Sequence, residues 1–165
     1  MGCGKSSVGK RLSELLCCRF ADLDAVIQEQ EGCSVAEIFE RSGEAQFRQI
    51  EQATLKDILD NQDMVLALGG GAVMTEGSDV MVHERSLCIY LRTSVDELVS
   101  RLSSETAGRP LLKDQTNTSA LRKRILDLMS KRAATYEHTA HHIIDTDGKN
   151  IDQIAREIIE SIKVQ

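Results

Sequence analysis

The chain opens Met1-Gly2-Cys3-Gly4-Lys5-Ser6-Ser7 and runs directly into Val8, Leu12, Leu15 and Leu16, apolar positions at helical spacing. This junction of a glycine-rich turn with a helix decides the fold. It matches the second half of the pattern G-x-x-x-x-G-K-[ST], whose glycines let backbone N–H groups turn inward around a phosphate. Lys5 then reaches the β- and γ-phosphates, Ser6 offers its hydroxyl to Mg2+, and the helix N-terminus adds partial positive charge. Gly2, Cys3, Gly4, Lys5, Ser6 and Ser7 are therefore the expected ATP contacts. The first glycine of the pattern, and the buried strand such a loop stands on, are expected upstream of Met1, in about ten residues.

Downstream, hydrophobic periodicity alternates between helix and strand, which is the signature of an α/β fold. A short strand is expected over 18–23. Ser34-x-x-Glu37 reads as a capping box ahead of Ile38 and Phe39, and Gly43 ends that short helix. A longer helix carries Phe47, Ile50, Thr54, Ile58 and Leu59. The continuous apolar runs at 64–68 and 87–91 suit parallel strands buried on both faces. Ser94-x-x-Glu97 caps a helix with Val95, Leu98, Val99 and Leu102 on one side, and residues 103–118 then lose all periodicity, the composition of a mobile lid. Leu121, Ile125, Leu128 and Met129 mark a helix running toward Tyr136, residues 142–145 a last strand, and Ile151, Ile154, Ile158 and Ile162 a closing helix.

The 165 residues fit one domain, and 41% hydrophobic with 28% charged residues is ordinary globular composition. Disordered, collagen-like and disulfide-scaffold classes are thereby excluded. No apolar run approaches the roughly 20 residues of a membrane span, and no charged region followed by an apolar one opens the chain, so a cytoplasmic protein without membrane contact is expected. The net charge of -6 argues against a nucleic-acid surface. The span from Arg101 to Arg132 is the exception: eight basic residues face Glu105, Asp114 and Asp127, a local net charge of +5. It is either a solvated helix face or an anion site. The five cysteines show no C-x-x-C spacing and are expected as reduced, mostly buried thiols. His138, His141 and His142 lack a Cys or carboxylate at ligand spacing and suit a strand edge or surface better than a metal.

Three motifs carry the remaining chemistry. In Asp22-Leu23-Asp24 the period of two puts both carboxylates on one side, at the C-terminal end of a strand where open α/β sheets bind ligands. One carboxylate can hold water-bound Mg2+ and the other can orient or deprotonate a substrate hydroxyl; a turn with an N-cap is the alternative. Glu44, Arg48 and Glu51 share a helix face, either as a surface ion-pair ladder or as a guanidinium braced to receive a substrate carboxylate. Gly69-Gly70-Gly71 ends the apolar run and permits close backbone approach, since no Cβ intervenes.

Together these residues resemble the shikimate kinase family. The resemblance rests on Gly4-Lys5-Ser6, Phe20-x-Asp22-x-Asp24, Gly43-Glu44-x-x-Phe47-Arg48-x-x-Glu51, Gly69-Gly70-Gly71, Arg109-Pro110-Leu111-Leu112 and Arg132-Ala133-x-x-Tyr136, and covers nearly the whole chain. It implies a three-layer α/β/α fold of the nucleoside-monophosphate-kinase type around a five-stranded parallel sheet, the first strand lying outside this sequence. It also implies a single kinase domain over 1–165, with a substrate-binding helical region at 25–61 and a lid at 103–118. The implied reaction moves the ATP γ-phosphoryl to the 3-hydroxyl of shikimate, in aromatic amino acid biosynthesis, with Mg2+ as cofactor and a monomer as the working form. The implied catalytic residues are Lys5, Asp24 and Arg109, and Ser6 and Asp22 serve the metal. Asp24, Arg48, Gly70, Gly71 and Arg132 hold shikimate, Arg109 closes over the phosphates and Arg101 stacks on adenine.

A gluconate-type kinase is the nearest alternative, disfavoured by Arg48 with Glu51 and by the triple glycine. A nucleotide-binding module without catalysis is the second, disfavoured by Lys5, Asp22, Asp24 and Arg109.

Overall fold

The computed structural model describes residues 3–61, 63–106 and 115–163. Helix α1 (Lys5–Leu16) starts from Gly4, whose φ of 80° lies in the left-handed region that favours glycine. The chain then enters β1 (Arg19–Asp22), α2 (Leu23–Glu31), a long bent helix α3 (Val35–Asn61) and β2 (Met64–Ala67). After a 3-10 turn (Ala72–Met74) come α4 (Ser78–Arg85), β3 (Ile89–Arg92), α5 (Val95–Thr106), α6 (Gln115–Thr139), β4 (His142–Asp145) and α7 (Ile151–Lys163).

Local chemistry accounts for several of these boundaries. At the head of α3, the Ser34 N–H donates to Glu37 Oε2 at 2.7 Å and the Glu37 N–H donates to Ser34 Oγ at 3.2 Å, the reciprocal bonds of a capping box. Gly43, with φ 77° and ψ 172°, breaks α3 into a short and a long helix, as its sequence position predicts. Gly9 lets α1 lie directly on β1, because a Cβ there would stand 2.7 Å from Phe20 Cε2.

The strands pair in parallel, β1 with β2 and β3 with β4. The α/β parallel class holds, and the described residues supply four parallel strands, arranged as two two-stranded ribbons. The ribbons border a cavity of about 440 Å³ lined by Val8, Leu12, Val65, Leu66, Ile89 and Leu91. For that reason Met64, Val65 and Leu66 are only half-buried, not enclosed on both faces as their apolar run predicts. Period-two alternation still operates. Val65 packs with α1 and α7 through Val8, Leu12, Ile154 and Ile158, whereas Met64 and Leu66 pack with α2, α3 and α4 through Leu23, Leu55 and Val82. This gives helix layers on both sides of the strands. A third cluster, Leu98, Val99 and Ile125, joins α5 to α6.

Two expectations are corrected, the shared strand face of Asp22 and Asp24 and the burial of the cysteines. Leu23 begins α2, so Asp22 and Asp24 do not lie on one strand face; Asp22 is the N-cap of α2, a position aspartate favours. Residues 103–106 and 115–118 of the expected lid are helical, and only 107–114 lie outside the described residues. Cys17 and Cys18 are exposed where α1 ends in a left-handed turn, and Cys3, Cys33 and Cys88 are half-buried, so the thiols are free but not core residues. Between β2 and β3, a stretch assigned no element from sequence holds the 3-10 turn and α4. The histidines behave as expected: His141 Nδ1 accepts the Cys88 N–H at 3.1 Å, and its ring stacks on His83.

Candidate active site

The phosphate loop and the carboxylate pair meet at the start of α1. Ser6 Oγ donates to Asp22 Oδ2 at 2.6 Å, while Asp22 Oδ1 accepts the Asp24 N–H at 3.1 Å. Capping α2 therefore leaves Asp22 turned toward the phosphate loop, and Asp24 follows one step into the helix. Lys5 Nζ donates to Cys3 Sγ across 3.6 Å. Burial pushes the Asp24 carboxyl above its ordinary value of 3.8 and the Asp22 charge adds to this, while Lys5 and Arg48 pull it back. An Asp24 made more basic in this way is better suited to receive a proton.

The second half of the site is built around Gly69-Gly70-Gly71, which follows β2. Each glycine gives its missing side-chain space to a charged or polar neighbour. A Cβ on Gly69 would stand 3.1 Å from Asp24 Oδ1 and 3.4 Å from Glu51 Oε1; on Gly70, 3.3 Å from Arg132 Nη1 and from Tyr136 Oη; on Gly71, 2.5 Å from Arg48 Nη2. Sequence reading assigns these glycines to close approach by a ligand. In the structure, the closest approach is by the protein's own Asp24, Arg48, Glu51 and Arg132.

Arg48 sits between two carboxylates on α3. Nη1 donates to Glu51 Oε2 at 2.6 Å and Nη2 to Glu44 Oε1 at 3.2 Å. Burial works against the Arg48 charge, but the bonds and attraction to Glu51 and Glu44 outweigh it and raise its pKa. Glu51 is 2% exposed. Burial raises its pKa too, although its hydrogen bond to Arg48 acts in the opposite sense. A guanidinium has five N–H donors, so these two bonds leave others for a planar anion.

From α6, Arg132 Nη1 donates to the Gly70 carbonyl at 3.1 Å, and Tyr136 Oη donates to the same oxygen. Lys5, Gly69, Gly70, Arg132 and Tyr136 border a cavity of about 160 Å³. The structure thus brings Lys5, Ser6, Asp22 and Asp24 together, and gathers Asp24, Arg48, Gly70, Gly71 and Arg132 around the glycine loop. Arg101 Nε donates to Glu97 Oε1 at 2.9 Å and Nη2 to the Thr146 carbonyl at 3.3 Å. Gly2 and Arg109 lie outside the described residues.

Two contributors to the site go beyond what the local sequence shows. Glu51 is visible in the sequence as a brace but not as a nearly enclosed carboxylate beside Asp24. Tyr136 belongs to the Arg132-Ala133-x-x-Tyr136 motif, yet its partner Gly70 is 66 residues away.

The donors also suit Mg2+. Ser6 hydroxyl and Asp22 carboxylate are adjacent hard oxygens, few in number, and Mg2+ keeps several waters and phosphate oxygens when protein supplies one or two ligands. Among the described residues no helix is long and apolar enough to cross a membrane.

A family model described as shikimate kinase matches residues 1–163. A shikimate kinase of Geobacter sulfurreducens is 39% identical over 163 residues, covering 99% of this chain and 87% of the relative. One from Pseudoalteromonas atlantica is 36% identical over 162 residues, covering 98% and 92%. Among solved structures, shikimate kinase from Acinetobacter baumannii in complex with shikimate superposes with a TM-score of 0.84 at 33% identity, over 99% of this chain and 89% of the other.

Proposed function

The chain belongs to the shikimate kinase family, and from that premise we propose that it transfers the γ-phosphoryl of ATP to the 3-hydroxyl of shikimate through the residues gathered between α1 and the glycine loop. The observation that carries this reading is the meeting, around Gly69-Gly70-Gly71, of the Asp24 carboxylate with two guanidinium groups, Arg48 and Arg132. Shikimate presents one carboxylate and three hydroxyls. Arg48 and Arg132 take the carboxylate as charge-assisted hydrogen bonds. The glycine loop lets the ring lie against backbone, and Asp24 accepts the proton of the attacking hydroxyl.

Phosphoryl transfer asks for positioning and charge neutralisation more than for covalent chemistry. Lys5 meets the β- and γ-phosphates, supported by the N-terminus of α1. Ser6 and Asp22 would hold Mg2+, whose charge would neutralise that of the phosphates. Asp24 stands between the two halves, close enough to both Lys5 and Arg48 to feel their charges. Arg109 is assigned to the phosphates by the family motif.

Phosphorus and proton NMR of a reaction containing ATP, Mg2+ and shikimate tests the assignment. A product whose ring proton at carbon 3 couples to phosphorus supports it. ATP hydrolysis without phosphorylated shikimate overturns it.

A further inference from the structure

The three carbonyls of the glycine loop are satisfied in two ways. Gly69 O accepts the Ala72 N–H at 3.1 Å and Gly71 O accepts the Met74 N–H at 2.9 Å, bonds made within the loop and its 3-10 turn. Gly70 O instead accepts from Arg132 Nη1 and Tyr136 Oη, both on α6 and one helical turn apart. Gly70 is therefore where the loop is fastened to α6.

A carbonyl oxygen has two lone pairs and can hold both donors. The donors are not equivalent. Arg132 has a long, flexible arm and a fork suited to a carboxylate. Tyr136 is held by its ring, which packs against the Leu23, Ile27 and Val82 cluster and lies 5.4 Å, centroid to centroid, from Tyr90. It cannot follow a ligand.

We infer that Tyr136 is a positioning residue: its hydroxyl keeps the Gly70 carbonyl satisfied when Arg132 turns from that oxygen to the substrate carboxylate. The inference rests on the reading of Arg132 as a shikimate ligand. Without the hydroxyl, moving Arg132 onto the substrate would strand a half-buried carbonyl, and that cost would be set against shikimate binding. The ATP contacts expected from the phosphate loop, residues 2–7, include neither atom.

Tyr136→Phe keeps the ring and removes the donor. Steady-state kinetics of Tyr136→Phe, Arg132→Ala and the double variant, with a thermal melt of each, test the inference. The expected result for Tyr136→Phe is a rise in KM for shikimate of roughly 2- to 13-fold, the range for one neutral hydrogen bond. Its kcat, KM for ATP and Tm should be nearly unchanged. In the Arg132→Ala background the same substitution should add almost nothing, because there is no arginine left to release. Equal rises in both KM values, or a lowered Tm with lowered kcat, would show a structural role and overturn the inference. Additive effects in the double variant would also overturn it. If Arg132→Ala raises KM for shikimate while Tyr136→Phe does not, only this inference fails; if Arg132→Ala itself leaves KM unchanged, the underlying assignment of Arg132 fails with it.

Discussion

The guanidinium of Arg48 lies so close to the backbone of Gly71 that a Cβ on Gly71 would stand 2.5 Å from Nη2 and 2.6 Å from Nη1. The glycine is required for space, not for conformation, since its φ of -102° and ψ of -13° are open to any residue. Gly71→Ala therefore acts on the site through Arg48. The backbone itself favours alanine by up to about 1 kcal/mol, while moving Arg48 away from the buried Glu51 opposes that gain, so a modest fall in Tm is expected. With Arg48 in its proposed role as carboxylate ligand, displacing it removes a charge-assisted hydrogen bond, so affinity for shikimate should fall roughly 10- to 150-fold while ATP affinity is retained. Isothermal titration with each ligand and a thermal melt read both; a large loss of Tm would show that the close approach is a packing feature only.

Arg48→Lys tests the fork itself. Lysine keeps the charge, loses the bidentate geometry and cannot bond Glu51 and Glu44 at once in the same way. Weaker shikimate binding of the same order is expected, with little change for ATP. Equal loss for both ligands would point to damage to α3.

The two carboxylates near the phosphate loop should fail differently. Asp22→Asn weakens the oxygen pair with Ser6, so it should raise the Mg2+ requirement and recover in part with excess metal. Asp24→Asn removes the proposed proton acceptor, a loss typically of 10² to 10⁴-fold in turnover, nearer the low end for a loose transition state. Rates across a Mg2+ titration distinguish them. Metal rescue of Asp24→Asn alone would mean that the two roles are exchanged.

Glu51 makes a pH prediction. Burial raises its pKa above the ordinary 4.5, so the folded chain holds this proton to higher pH than the unfolded chain does. Between 4.5 and the raised value the native state binds more protons, and this group makes stability fall as pH rises, levelling off above the folded pKa. Glu51→Gln should remove that slope. Denaturant melts across pH 4 to 8 would show it, and identical pH profiles for both proteins would contradict the burial of Glu51.

Legibility followed the range of the interactions. The Ser34–Glu37 box and the break at Gly43 are contests among neighbours in sequence, and both were readable. Asp22-Leu23-Asp24 was readable in composition but not in geometry, because capping α2 won over continuing β1. Helix α4 escaped because it buries little beyond Ser78 and Val82, too few positions to set a period. The bonds of Arg101 to Thr146 and of Tyr136 to Gly70 span 45 and 66 residues, and no local pattern announces them.

The most direct test of the central claim is ADP release by the purified chain with ATP and Mg2+, measured side by side with shikimate, quinate and gluconate as acceptors. Rapid, saturable ADP release with shikimate is expected, far above the rate with the other two. Gluconate-driven turnover, or a slow rate that no acceptor changes, would contradict it.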